Sequence, residues 1–209
     1  LLQQYIPKEK DILVYGARMA DKKVCLAGAL IRDRFCGTGE SSHGLITANL
    51  PSCVNAYHIE QFLEKLDYYG LFSVEYGMLG DKAYFFEVNL RNDGTSHFFY
   101  QAGANIPLAW AYSSLGLDYS HIPTVVDGDH YYMDEIYDIQ NVKEGMITKT
   151  QWEKERAEAT VFKYYDKDDI APYEAMSKIK TKKLLMGSLV AKYRIYIVYI
   201  LDKLGLKRK

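Results

Sequence analysis

Two β-rich runs joined by a tight turn, within residues 71–90, limit the fold more than any other feature of the sequence. The segments LFSVEYGML and AYFFEVNL are rich in aromatic and β-branched residues, and Gly80-Asp81 between them is a turn signal. They predict an antiparallel hairpin. Glu75 and Glu87 stand twelve positions apart around this turn. The hairpin therefore places the two carboxylates opposite or diagonal to each other.

The second strand of this hairpin ends in a row of polar residues. Strand alternation puts Glu87, Asn89 and Arg91 on one face of the strand. Close carboxylates repel each other unless they are neutralised, and Mg²⁺ prefers carboxylate and amide oxygens while keeping places for phosphates. Arg91 is suited to the charge of a phosphoryl or acyl-phosphate group. Taken alone, this short motif also fits a solvated sheet face on which Arg91 is a surface ion-pair partner.

The rest of the first 115 residues indicates further strands and helices. We expect antiparallel strands at LLQQYI, ILVYGARM and VCLAGALIRDRF. Apolar spacing predicts a helix over 55–69 that ends at Gly70, and short helices at HFFYQAG and IPLAWAYSSLG. The stretch CGTGESSHG predicts a flexible loop. Its spacing matches neither a P-loop nor a dinucleotide-binding turn.

Beyond residue 116 the pattern is weaker. It indicates a strand at ATVFKYY, the breaker-rich stretch DKDDIAP and a basic amphipathic helix over 181–204. From Lys178 to Lys209 there are ten basic residues and one acid. Lys192 and Arg194 interrupt the apolar run, which argues against a membrane span. Two interpretations stay open: the helix docks on the body of the protein, or residues 181–209 contact an anionic membrane surface or a partner.

Composition sets the class of protein. With 209 residues, 48% hydrophobic content and a net charge of -1, we expect a soluble globular protein that does not bind nucleic acid. The three cysteines form no CxxC motif, and we expect no signal peptide; both favour a cytoplasmic location, with peripheral membrane contact left open. The sequence opens on Leu1, in what reads as the middle of a strand, so we expect it to be a fragment.

Three stretches taken together, FSVEYG, AYFFEVNLRNDGTS and AGANIPLAWAY, resemble the carboxy-terminal subdomain of ATP-grasp enzymes. The resemblance is closest to the carbamoyl-phosphate-synthetase-like and biotin-carboxylase-like branch, and it covers residues 1–115. It implies an α+β fold, an antiparallel sheet with packed helices, followed by a mixed, helix-ended appendage over 116–209. It also implies ATP with Mg²⁺ or Mn²⁺. The implied activity is an ADP-forming ligase that activates a small-molecule carboxylate as an acyl phosphate for attack by an amine or another nucleophile.

The resemblance also implies roles for individual residues. The metal ligands would be Glu75, Glu87 and Asn89, and the catalytic contacts to phosphate or activated substrate would come from Asn89 and Arg91. Glu75 and Glu87 would contact the nucleotide through the metal. An arginine at the end of the second strand would contact phosphate, with Arg34 preferred over Arg32. The remaining nucleotide contacts would be the adenine linker, Gln3, Gln4, Tyr5 and Ile6, and the ribose ligand Asp11.

The sequence departs from that family by lacking the amino-terminal lobe, with its glycine-rich loop and phosphate-binding lysines. We therefore expect this chain by itself to bind nucleotide weakly and to be inactive. Two alternatives to the ligase remain: a small-molecule kinase or carboxyphosphate-forming enzyme, and a non-catalytic membrane-surface or scaffold module. A homodimer also stays open.

Overall fold

The computed structural model describes residues 4–36 and 39–179. Its strands are β1 (Lys10–Arg18), β2 (Val24–Cys36), β3 (Glu40–Thr47), β4 (Gly70–Leu79), β5 (Lys82–Asn89), β6 (His130–Met133) and β7 (Val161–Phe162). Its helices are α1 (Ala56–Lys65), α2 (Ser96–Gln101), α3 (Ile106–Ser114), α4 (Ile139–Lys143) and α5 (Lys149–Glu158). These strands form one sheet in the order β5-β4-β1-β2-β3-β6-β7. Neighbours are antiparallel except for β6 and β7.

The apolar run in β1 explains its place inside the sheet. After Lys10 every residue of β1 is buried, because helices cover both faces of the sheet. Ile12 and Val14 pack in a cluster with two residues of α1, while Leu13 and Tyr15 pack on the other side with residues of α2 and α3. A strand buried on both faces reads as a continuous hydrophobic run instead of an alternating one.

The predicted hairpin is present as β4 and β5. Gly80 has a φ of +59°, a left-handed conformation that glycine adopts without a steric penalty. Glu75 pairs directly with Glu87, and the register shifts between Glu75 and Tyr76. The local sequence thus determined both the turn and the facing of the two carboxylates.

Three local predictions differ from the structure. Residues 40–44, predicted as part of a flexible loop over 36–44, belong to β3, and Gly44 is buried in it. A side chain at Gly44 would place its Cβ 2.5 Å from the backbone oxygen of Ile31, so the glycine permits close approach of two strands. Residues 4–6, predicted as part of a strand over 1–6, are irregular. Helix α1 ends at Lys65, and Gly70 is the first residue of β4.

The sheet continues beyond residue 115. The chain divides into two compact units, Leu1–Lys163 and Tyr164–Lys209. The first extends past our predicted boundary at residue 115 because β6 and β7 add to the edge formed by β3, and β7 lies within the predicted strand ATVFKYY. In the second unit, residues 171–179 are helical.

The basic tail is outside what the structure describes. The predicted helix over 181–204, and the membrane contact predicted for 181–209, lie beyond residue 179. Among the residues that are described, none of the helices is both long and apolar enough to cross a membrane.

Candidate active site

A cleft of about 340 Å³ opens on the sheet face that also carries α2. Its floor includes Leu13, Phe98 and Tyr132, and the rings of Phe98 and Tyr132 stack with centroids 4.3 Å apart. The volume is at the lower end of the range for small-molecule sites. The charged residues on its wall come from four strands, the loop after β5 and the residue after β7, and are Arg32, Glu40, Glu75, Glu87, Arg91, Asp93 and Lys163.

The two hairpin carboxylates converge on one amide. Asn89 Nδ2 lies 3.5 Å from Glu75 Oε1 and 3.4 Å from Glu87 Oε1. Arg91 Nη2 donates to Asn89 Oδ1 at 3.3 Å. Four residues that sequence reasoning placed on one face are therefore together in space. In this arrangement one oxygen of each carboxylate points toward the position of the amide.

Arg32 supplies the opposite charge behind the carboxylate pair. Its Nη2 is 2.5 Å from Glu75 Oε2 and 3.7 Å from Asp11 Oδ2. Asp11 also pairs with Lys8 at 2.7 Å. The arginine and aspartate side chains are almost buried, so each ion pair compensates for lost hydration. Asp11 thus lies beneath the site as the partner of two cations.

The loop after β5 is fixed to the strands beneath it. The Asp93 carboxylate accepts hydrogen bonds from the hydroxyls of Ser73 and Thr95 and from the Thr95 backbone N–H. The Tyr15 hydroxyl donates to Asn92 Oδ1 at 2.8 Å. Burial, with the nearby Asp93 charge, raises the pKa of Tyr15, so the phenol keeps its proton at neutral pH. These bonds hold the loop that carries Arg91.

Arg34 does not join the cleft. Its Nη2 lies 3.0 Å from Asp138 Oδ2, and its Nη1 lies 2.6 Å from Glu155 Oε2. Asp138 is fully buried at the start of α4. The pairing of β2 with β3 shifts register between Arg32 and Arg34, so two arginines at a spacing of two have different partners. The structure places Arg32 in the cleft and Arg34 in a packing network, contrary to our preference for Arg34.

The predicted adenine linker is only partly visible. Gln3 lies outside the described residues. Gln4 and Ile6 are in irregular backbone, and Tyr5 is 83% exposed. None of these three is among the described residues that line the cleft.

Sequence reasoning missed the opposite end of the cleft. Glu40 and Ser41 at the start of β3 line it, as does Lys163 just after β7. The interpretation of residues 36–44 as a flexible loop concealed Glu40 and Ser41. No local motif marks Lys163, which is brought there only because β6 and β7 extend the sheet. The one available signal was the strand ATVFKYY, which contains this lysine.

A second cavity of about 340 Å³ lies between α1 and the hairpin. Its lining is mainly apolar and includes Ile59, Phe62, Val74 and Phe85. None of its lining residues is an acid, a lysine or an arginine. Of these two cavities, the first carries the acidic, lysine and arginine side chains.

Comparison with protein-family models and with curated proteins finds no match. Among solved structures, the chain is similar to N5-carboxyaminoimidazole synthetase from Staphylococcus aureus complexed with ADP, with a TM-score of 0.53 and 11% identity. It is also similar to the phosphoribosylaminoimidazole carboxylase ATPase subunit from Aquifex aeolicus, with a TM-score of 0.51 and 17% identity. Both are ATP-grasp enzymes of the biotin-carboxylase-like branch. The chain has the fold of part of these ATP-grasp enzymes.

The match is partial on both sides. It covers 73% of this chain and 40% of the S. aureus enzyme, and 62% of this chain and 41% of the A. aeolicus subunit. The α+β fold class and the ATP-grasp resemblance inferred from sequence are confirmed at the level of the fold. At such low identity the comparison does not assign roles to residues, so the site residues stay predictions.

Proposed function

We propose that this chain is the metal- and nucleotide-binding floor of an ATP-dependent, ADP-forming ligase. Its substrate carboxylate would be activated as an acyl phosphate and then attacked by an amine or another nucleophile. The observation that carries this proposal is the convergence of Glu75, Glu87 and Asn89 in a cleft that also exposes Arg91. The ATP-grasp fold supports it. A cytoplasmic location belongs to the same proposal.

The donor set fits Mg²⁺ or Mn²⁺. The described residues contain no group of three or more His, Cys, Asp and Glu side chains able to hold a metal, so a cation here needs the amide oxygen as well. As placed, Asn89 turns its nitrogen toward the carboxylates. Rotation of the amide by 180° directs its oxygen there and exchanges atoms of nearly equal size. It also ends the hydrogen bond that Asn89 Oδ1 accepts from Arg91. Two carboxylates and an amide are hard oxygen ligands that leave positions for phosphates and water.

When bound, the metal would neutralise the carboxylates and the phosphate oxygens. Arg91 would bind the oxygens of the phosphoryl or acyl-phosphate group, since its side chain is exposed and, among the described residues, its hydrogen bonds go only to Asn89 and the Asn92 carbonyl. Arg32 would orient Glu75 through their 2.5 Å contact. Asp11, nearly buried and paired with Arg32 and Lys8, would then be a positioning residue for Arg32 rather than the ribose ligand predicted from sequence.

The apolar floor of the cleft would exclude water from the reacting groups. Phe98 and Tyr132 offer no competing charge beneath the reacting groups, and a dry floor would protect an acyl phosphate from hydrolysis. The roles of Gln3, Gln4, Tyr5 and Ile6 at adenine remain predictions.

The test is ADP release by the intact protein supplied with MgATP and pooled carboxylates and amines, with Glu87→Gln beside the wild type. We expect ADP only when both pools are present, and none from the variant. ADP release with a carboxylate-free pool, together with a stable phosphate ester, would instead indicate a kinase. If no combination yields ADP, the binding of nucleotide and of Mn²⁺ by the wild type and by Glu87→Gln is measured instead. Equal binding by both, or binding by neither, would refute the assigned site.

A further inference from the structure

The end of the cleft opposite the hairpin has its own chemistry. Glu40, Ser41 and Lys163 form this end, which we call the β3 end of the cleft. Lys163 Nζ contacts Glu40 Oε2 at 2.6 Å and Asp134 Oδ2 at 3.2 Å. None of these residues belongs to the Glu75, Glu87 and Asn89 cluster.

Asp134 is the fixed member of this arrangement. It is fully buried, and its Oδ1 accepts the backbone N–H groups of Ile136 and Tyr137. The carboxylate thus anchors Lys163, and Lys163 in turn holds Glu40. With two carboxylates around one ammonium group, Lys163 has no surplus positive charge with which to attract an anion. The β3 end of the cleft has an excess of negative charge.

Glu40 is the outward-facing member. Its side chain is 64% exposed, and in the part of the chain that the structure describes, no hydrogen bond reaches its Oε1. The lysine fixes the orientation of this carboxylate through one oxygen, and the other oxygen keeps its capacity to accept hydrogen bonds. It can accept a further charged N–H donor.

Ser41 adds a second acceptor. Its Oγ is buried, yet within the described ranges it has no hydrogen-bond partner. Buried polar atoms normally have partners, so this hydroxyl lacks one that a ligand can supply. A hydroxyl accepts as well as donates, and Ser41 lines the same cleft as Glu40, so the two residues offer two acceptors to an ammonium group with several N–H donors.

We propose that Glu40 and Ser41 bind the amino group of the nucleophile, a small primary amine, with Lys163 as the residue that positions Glu40. This rests on the proposed ligase function and adds the acceptor for its second substrate. The carboxylate substrate and the nucleotide would then meet at the hairpin end of the cleft, and the amine would approach from the β3 end. A small amine also suits the volume of the cleft.

Backbone-amide NMR of the full chain tests this with ethylammonium as the probe. The matched probes are ethanol, which is neutral, and acetate, which is anionic. We expect ethylammonium to shift the amide signals of Ser41 and Lys163 saturably, and ethanol to leave them unchanged. In Glu40→Gln the dissociation constant should rise about fivefold, as for an exposed ion pair. The matched control Glu153→Gln also removes an exposed, lysine-paired carboxylate, but on α5, and it should titrate like the wild type.

Three results would overturn the inference: no saturable ethylammonium site at the β3 end, wild-type affinity in Glu40→Gln, or saturation by acetate in place of ethylammonium. Glu40 is exposed, so its variant is expected to fold. Ser41→Ala gives an independent check and should also weaken ethylammonium binding. Mn²⁺ binding, followed by electron paramagnetic resonance, should be the same in wild type and Glu40→Gln. If the wild type does not bind Mn²⁺, the proposed metal site is refuted. The ethylammonium titration is a separate measurement and still tests the amine site.

Discussion

Replacing Glu87 by glutamine is expected to change stability in opposite directions with and without metal. Glu75 and Glu87 face each other directly across β4 and β5. Without a cation their like charges destabilise the hairpin, by about 0.2–1 kcal/mol for a directly opposite pair. Because Arg32 contacts Glu75 at 2.5 Å, the lower half of that range applies. The metal-free variant should therefore be more stable than the wild type by about 0.2–0.5 kcal/mol.

With metal the order reverses. A ligand at 100 times its dissociation constant stabilises the folded state by about 2.7 kcal/mol. For a unit of this size, that raises the midpoint of thermal unfolding by about 5–11 °C. Even an outer-shell change weakens metal binding by about 10–100-fold, and loss of a direct ligand should reach the upper value. At the same Mn²⁺ concentration the variant would then gain only about 0.4 kcal/mol, or about 1–2 °C.

The assay is thermal unfolding followed by circular dichroism, with and without Mn²⁺ at 100 times the wild-type dissociation constant. Glu153→Gln is the matched control, since it removes a carboxylate on the exposed face of α5, and it should gain as much from Mn²⁺ as the wild type does. A Glu87→Gln protein that gains the full wild-type shift would refute the metal site. A variant that is less stable than the wild type without metal would refute the argument from like charges.

Three further substitutions test the structure around the site. Arg32→Met should cost about 1.5–3 kcal/mol of unfolding free energy in denaturant titration, because Glu75 loses its partner at 2.5 Å and the buried Asp11 carboxylate keeps only Lys8. Gly44→Ala should cost about 1–3 kcal/mol in the same measurement, because the added Cβ meets the backbone of β2. Burial raises the pKa of Asp33, but the hydrogen bond and charge of His43 outweigh burial and hold that pKa below its ordinary value. The stability that this pKa shift contributes is present above about pH 4, the unfolded-state pKa, and is lost as the pH falls through the folded-state pKa. Asp33→Asn should therefore destabilise the protein at pH 7, and its unfolding free energy should approach that of the wild type in more acidic buffer.

Controls accompany these substitutions. Arg91→Met removes an exposed arginine and should change stability by less than about 0.5 kcal/mol; a cost equal to that of Arg32→Met would contradict the ion-pair argument. Gly128→Ala should be neutral, since a Cβ there meets nothing within 4 Å, and a neutral Gly44→Ala would show that the two strands can separate freely. If the difference in unfolding free energy between wild type and Asp33→Asn stays constant from pH 7 to pH 3, the lowered pKa of Asp33 beside His43 does not contribute to stability.

The sequence by itself determined the hairpin and the metal-site prediction that depends on it. The turn at Gly80 and the two-residue period of a strand are local properties, and together they put Glu75, Glu87 and Asn89 on one face. The structure brings both carboxylates within hydrogen-bonding distance of the Asn89 amide. Their order along the chain also supported the ATP-grasp resemblance, which the fold confirms.

Tertiary structure decided which of the two arginines reaches the cleft and what forms its far end. A shift in the pairing of β2 and β3 separates Arg32 from Arg34, and pairing between strands distant in sequence brings Lys163 to Glu40 across 123 positions. Gly44 belongs to a strand only because β2 and β6 lie beside it. Each outcome depends on which strands become neighbours. That choice is made by burying both faces of the sheet under helices, and no short window of sequence contains it.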